Sequence, residues 1–299
     1  MKADIIWLSS VDSTNAEARR RISDIDNLSV LSAFEQTAGR GQRGNTWKSA
    51  PGENLTFSIV LKFATPDRND DSTSILPSIK ACDQFRLTEI ASLSVLDFLS
   101  SYGIYANIKW PNDIYVGPRK ICGMLMENSL RGDLLSSSII GIGLNINQRN
   151  FDVTLKNPTS LAIEHRCGAC GSSMENSDQR FDLKECMNEL MYRFTAYLEE
   201  YLASPPEPSY KKIREAYISR LWLLDVPADF IDYTCLPGGH LEGPADPVFK
   251  TGQCAGRRFS GIIRGVSPSG LLEVEDTEKG GLREFAFKEI GFIIPEITH

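Results

Sequence analysis

Between residues 106 and 146 the chain carries three short apolar segments, 106–110, 121–127 and 138–146, joined by hydrogen-bonding turns. This run constrains the fold most. Short hydrophobic strands linked by turns of this kind predict a mixed or antiparallel sheet with helices on one side. Segments 5–8, 29–34 and 55–63 add further predicted strands. A helix opens at Thr14, where Ser13 or Thr14 can cap it and Ala16, Glu17 and Ala18 suit its first turn. From 87 to 99 the apolar residues Leu87, Ile90, Ala91, Leu93, Val95, Phe98 and Leu99 recur at helical spacing. A helix over 183–202 ends before Pro205-Pro206, and another is predicted over 209–219.

After Trp222 the texture changes. Strand-like pieces at 260–266, 271–274 and 284–287 alternate with Ser267-Pro-Ser-Gly270 and Glu278-Lys-Gly-Gly281, both turn compositions. A small all-β domain, a five-stranded barrel in outline, is predicted there. The Gly/Pro-rich stretch 236–254 reads as a loop insertion within it, and 64–86 as a polar surface excursion. The domain division is therefore 1–221 and 222–299.

Hydrophobic residues make up 41% and charged residues 24%, an ordinary soluble mixture, and the net charge of -7 excludes nucleic-acid binding through a general positive field. No stretch approaches the ~18 apolar residues of a membrane helix, and residues 1–9 lack the pattern of a secretion signal, so a cytoplasmic protein without a membrane partner is expected. Of seven cysteines, only Cys167 and Cys170 form a C-x-x-C. Such a pair can bind a metal or cycle between thiol and disulfide, but reduced thiols without a special role are the favoured reading, because His165 does not complete a common ligand pattern.

Four segments could carry chemistry. Gly39-Arg-Gly-Gln-Arg-Gly44 combines backbone donors, glycine flexibility and permanent cations, which suits an anion, although an ordinary surface hairpin has the same composition. It matches neither a P-loop nor a dinucleotide fingerprint. In Lys109-Trp-Pro-Asn-Asp113 a strand-end lysine precedes a forced turn; Asp113 could hold a metal ion or orient that lysine, or the two could form a solvated pair. A second lysine, Lys120, starts the strand bearing Gly123, which marks a close approach or a bulge. Gly141-Ile-Gly-Leu-Asn145 places Gly143 and an asparagine in a strand that should be buried, so the asparagine needs partners.

Asp12-Ser-Thr-Asn15, Gln36 with Gly39-Arg-Gly41, Lys109-Trp-Pro-Asn-Asp113, Arg119-Lys120 with Gly123, and Gly141-Ile-Gly-Leu-Asn145 together resemble the ordered signature of biotin–protein ligases. The resemblance covers roughly residues 5–220, and the tail around Phe259-Ser-Gly-Ile-Ile-Arg is similar to the family's SH3-like domain. It implies an α+β fold: a mixed sheet flanked by helices, like the class II aminoacyl-tRNA synthetases, plus a small all-β SH3-like domain. It also implies a reaction. Biotin's carboxylate attacks the α-phosphorus of ATP, with Mg²⁺, to give biotinyl-5′-AMP. A lysine of a biotin carboxyl carrier protein then takes the biotinyl group.

The resemblance assigns roles residue by residue. Ser13, Thr14, Asn15 and Gln36 match positions at biotin's neutral ureido end, and Trp47 matches a tryptophan packed over the ligand. Gly39, Gly41, Gly123, Gly141 and Gly143 let backbone come close, and Asn145 lies toward the nucleotide. Arg40, Lys109 and Lys120 match the cations at the reacting carboxylate and phosphates, Asp113 is the metal candidate, and Asn112 supports the turn and the site. Gln42 departs from the pattern: the family often has another arginine there. Residues 1–4 leave no room for a DNA-reading domain, so no DNA partner is expected, and homodimer formation is left open. Lipoate ligases share the implied fold. A degenerate carrier-binding module is the non-enzyme alternative, and the retained cations argue against it.

Overall fold

The computed structural model describes residues 1–65, 76–168, 180–203, 206–235 and 256–293. Seven strands form one sheet: β1 (Asp4–Leu8), β2 (Ser29–Ala33), β3 (Leu55–Lys62), β4 (Asn107–Lys109), β5 (Asp113–Val116), β6 (Arg119–Arg131) and β7 (Leu134–Leu144). Their order is β1-β2-β3-β7-β6-β5-β4. β1 and β2 are parallel, linked through helix α1 (Thr14–Arg20), and every other neighbouring pair is antiparallel. The predicted mixed sheet is therefore present.

Side-chain alternation gives this sheet two unlike faces. Leu55, Phe57, Ile59 and Leu61 of β3 and Ile140, Ile142 and Leu144 of β7 enter the main core. Helices α2 (Phe85–Ser101), α4 (Leu183–Ala203) and α5 (Pro206–Ser219) cover that face, contributing Ile90, Val95, Phe98, Leu190, Phe194 and Tyr217. On the opposite face α1 buries only a small cluster of Ala18, Ile25, Leu31, Val60 and Ile139. The middle of that face carries Thr56, Ser58, Gly141 and Gly143.

The second sheet is entirely antiparallel, with five strands in the order β11-β10-β9-β8-β12. These are β8 (Pro227–Asp232), β9 (Arg257–Val266), β10 (Leu272–Asp276), β11 (Leu282–Phe285) and β12 (Ile290–Phe292). Its Phe230, Phe259 and Phe285 pack ring to ring. Trp110 ties the two sheets together: its indole N–H donates to the Gly270 carbonyl at 3.1 Å, and its ring meets Phe287 edge-on.

Several expectations need correction. The end of the predicted excursion rejoins the sheet through bridges at Leu76 and Lys80, and α2 starts at Phe85 rather than at residue 87. Strands β5, β8 and β12 and helix α3 (Leu161–Gly168) were not predicted. Ser13 occupies the N-cap of α1 by backbone geometry, but its hydroxyl makes no capping bond. Residues 66–75 of the excursion, the loop insertion at 236–254, Cys170 and the Cys167 side chain lie outside the described residues. His165, near the C-x-x-C pair, is engaged with the Tyr102 carbonyl at 3.1 Å and with the rings of Tyr102 and Phe181.

Candidate active site

The pairing registers bring one row of residues across five strands: Thr56 on β3, Gly143 on β7, Gly123 on β6, Asp113 on β5 and Lys109 on β4. At about 4.8 Å per strand the row spans roughly 19 Å. The neighbouring row holds Ser58, Gly141 and Leu125. Bare glycine backbone thus forms the floor of a shallow groove, with hydroxyls toward one side and charges toward the other.

Four segments meet at the hydroxyl side. The Gln36 amide oxygen accepts from the Thr14 N–H at 2.8 Å and from the Thr14 hydroxyl at 3.2 Å. The Ser58 hydroxyl lies 2.8 Å from the Thr14 hydroxyl and 2.6 Å from Asn15 Oδ1. Ser13, Thr14, Asn15 and Ser58 are all at most 3% exposed. Such a buried polar cluster holds fixed donors and acceptors for a neutral polar ligand. A Cβ on Gly141 would lie 2.3 Å from Asn15 Oδ1, so only glycine leaves Asn15 its place.

Trp47 covers the floor. A Cβ on Gly143 would come within 2.2 Å of its indole, and one on Gly123 within 3.1 Å. The indole Nε1 is buried without a hydrogen-bonding partner among the described residues, packed against the Gly143 backbone. Trp47 is delivered by a small hairpin: its N–H bonds the Gly39 carbonyl at 3.0 Å, Arg40 bridges Thr46, and the Gly41 N–H bonds the Asn45 carbonyl at 2.7 Å. Residues Gln42–Gly44 form the turn, closed by Gly44 at φ +78°. The hairpin and ligand-loop readings of this segment are both compatible with such a geometry. Gln42 is half-buried in the turn.

At the charged side the Lys120 ammonium pairs with the Asp113 carboxylate at 2.7 Å and stands 6.0 Å from the Trp47 ring. Lys109, the cross-strand partner of Asp113, points its ammonium at the rings of Tyr115 and Phe292. Arg40 reaches the groove from the hairpin and pairs with Glu127 at 3.3 Å. Glu127 also accepts from Asn15 Nδ2 at 3.0 Å and pairs with Arg19 at 2.9 Å. It thereby joins the hydroxyl end of the site to the arginine.

Sequence reasoning passed over Glu127 and Ser58. The signal for Ser58 was present, since small polar residues alternate with Leu55, Phe57 and Ile59 on one strand. Glu127 carried none, because its three partners come from distant segments. Asn112 is turned away from the groove: buried, it donates to the Met124 carbonyl and so fixes the turn, while Tyr217 donates to the Pro111 carbonyl at 2.7 Å. The Trp110-Pro111 peptide bond in that turn is cis. Asn145 donates to the Thr159 carbonyl at 2.8 Å, leaving its buried Oδ1 without a partner among the described residues. Cys122 sits on the core face, fully buried, and burial pushes its thiol well above the usual range, so it offers no thiolate nucleophile at neutral pH.

Residues 7–145 match the model of the Biotin/lipoate A/B protein ligase family. The matched stretch contains every site residue predicted from the sequence, from Ser13 to Asn145. Over 154 residues the chain is 34% identical to the bifunctional ligase/repressor BirA of Bacillus spizizenii, covering 51% of this chain. It spans under half the length of that relative, 43%, and of its Bacillus subtilis counterpart, 40%. The biotin–[acetyl-CoA-carboxylase] ligase of Paracoccus denitrificans is 29% identical over 245 residues, 80% of this chain and 90% of that one. Among solved structures, the biotin protein ligase from Aquifex aeolicus in complex with biotin and ATP superposes with a TM-score of 0.65 at 24% identity, covering 98% of this chain and 99% of that one. This last likeness is one of fold. It runs through the five-stranded sheet, which the family model does not reach.

Proposed function

We propose that the protein activates biotin with ATP to biotinyl-5′-AMP and transfers the biotinyl group to a lysine of a biotin carboxyl carrier protein or domain. The observation that carries this reading is the cross-strand row, hydroxyl to glycine to glycine to carboxylate to lysine. Biotin has the same polarity sequence: a neutral ureido head, an apolar chain and a carboxylate. Thr14, Asn15, Gln36 and Ser58 suit the head, which needs donors and acceptors without charge. The apolar surface made by Trp47 packed on the glycine floor suits the chain.

In this reading Lys120, Lys109 and Arg40 draw two anions together and stabilise charge developing on the attacked phosphorus. The Oδ1 of Asn145, without a partner among the described residues, can accept from an exocyclic amine of adenine. Gly39 and Gly41 let the hairpin backbone approach the adenylate. Magnesium enters as part of the Mg–ATP substrate. Such an ion commonly takes one or two carboxylates with the rest of its ligands from phosphates and water. Asp113 is the carboxylate of the row that can meet it, and no cluster of three or more potential metal ligands occurs among the described residues. The carrier lysine attacks the mixed anhydride directly, so no protein nucleophile is needed.

Residues 1–221 form the catalytic unit in this reading and 222–299 an SH3-like domain. The net charge of -7 favours a carrier partner over DNA. No helix among the described residues is long and apolar enough to cross a membrane. ATP–pyrophosphate exchange with biotin, lipoate and octanoate in parallel tests the proposal. Exchange with biotin is expected; exchange with lipoate alone would replace the substrate, and none with any acid would leave a binding module.

A further inference from the structure

β4 is three residues long and ends the seven-stranded sheet, so the strand that presents Lys109 takes support from beyond that sheet. The Ile108 N–H donates to the Arg220 carbonyl at 2.7 Å, and the Trp222 N–H returns to the Ile108 carbonyl at 2.8 Å. The chain leaving α5 thus runs alongside β4. Beside it, two aromatic rings from two different strands, Tyr115 of β5 and Phe292 of β12, face the Lys109 ammonium. That ammonium lies 5.2 Å from the Tyr115 ring centroid and 5.4 Å from that of Phe292. The Trp222 indole stacks on Tyr115 at 5.7 Å and 27°, and meets Phe292 at 6.2 Å. Phe292 is itself held, paired with Phe230 across β12 and β8 at 5.5 Å between rings.

Both contact distances lie within the range in which an ammonium is attracted by a ring's quadrupole. A ring face also fixes the position of a cation, which suits a lysine required to act at one place. The contact to Tyr115 is internal to the seven-stranded sheet, but the contact to Phe292 is not. Without β12 one of the two rings nearest Lys109 is missing.

We propose that Tyr115 and Phe292 are positioning residues for Lys109, so that the five-stranded sheet completes the active site through its last strand. This rests on the role given to Lys109 in adenylate formation. The consequence is that a substitution in the small sheet alters the chemical step rather than ligand capture.

The test compares Phe292→Leu and Phe292→Tyr in the full-length protein, each in the native and in the Lys109→Ala background. Phe292→Leu is expected to lower kcat for biotin-dependent ATP–pyrophosphate exchange about tenfold with biotin affinity unchanged, and Phe292→Tyr to restore it. In the Lys109→Ala background Phe292→Leu should cause no further loss. An equal loss in both backgrounds, or no loss in the native one, would overturn the proposal. The ring contact has its own readout: the Lys109 ε-methylene resonance, identified by its disappearance in Lys109→Ala, should move downfield in Phe292→Leu as ring shielding is removed. A resonance that stays in place would also overturn it. Should the leucine variant not fold, Phe292→Met provides the same comparison. If the native protein shows no exchange with biotin, the proposed function fails, while the resonance still decides whether the rings hold the lysine.

Discussion

The two faces of the seven-stranded sheet are built from alternate residues of the same strands, yet they are used in opposite ways. On β3, Leu55, Phe57, Ile59 and Leu61 enter the main core, whereas Thr56 and Ser58 between them line the groove. On β7, Ile140, Ile142 and Leu144 are core residues, and Gly141 and Gly143 are floor. One face gains stability by filling space. The other, with the smallest possible side chains, lets Trp47 and Asn15 lie directly on the strand backbone, and depends on the first for its rigidity.

That contrast can be broken most forcefully from the core side. Phe57 is 1% exposed, and Phe57→Ala is expected to cost about 3–5 kcal/mol of unfolding free energy, measured by urea denaturation, with biotin affinity of the folded protein retained. A comparable loss of affinity would show that the faces are not separable.

The next largest effect concerns Glu89, a fully buried carboxyl of α2 beneath the same face. Burial raises its pKa from the usual 4.5 to about 7, only partly offset by the Arg214 and Arg86 guanidiniums. Arg214 lies 3.5 Å away, at the margin of a contact, and Tyr217 packs nearby. Because the folded protein holds this proton more tightly than the unfolded chain, stability should fall as pH rises from 4.5 to 7 and level off above. The change attributable to this group is on the order of 3 kcal/mol. Glu89→Gln should flatten that part of a stability profile measured from pH 5 to 8; an unchanged slope assigns it to other groups.

On the groove face the signature should reverse. Gly143→Ala places a methyl where Trp47 now sits, and is expected to weaken biotin binding at least about tenfold while changing the unfolding free energy less than Phe57→Ala does. Titration calorimetry on both variants sharpens the comparison directly. The smallest effect is at the hairpin. Gln42→Arg adds one half-exposed cation and should slow release of preformed biotinyl-AMP by about threefold. Unchanged release would mean the side chain points away from the adenylate.

Most of the helices and the long strands were legible because periodicity reports burial on one face. β5 was not: Asp113 to Val116 follows a proline turn so closely that four residues gave no period to read. β8 and β12 were missed because short strands whose partners lie far along the chain carry no local turn signal. At the candidate site, motifs pointed to the glycines, lysines and Arg40, since each has chemistry visible in its residue type. What they could not convey was partnership. Asn112 holds a carbonyl and Asp113 engages Lys120 within one hairpin, and Glu127 links Asn15 to Arg40 through contacts between segments remote in sequence.

The paired glycines beneath Trp47 also set a direction for change. A peptide backbone is the lowest floor a protein can offer, so every substitution at Gly123 or Gly143 makes the groove shallower and none makes it deeper. Diversification toward a bulkier acid is therefore closed from below and open only from above, at the roof. The residue whose shortening enlarges the chamber is Trp47, carried on a hairpin that belongs to no strand of the sheet.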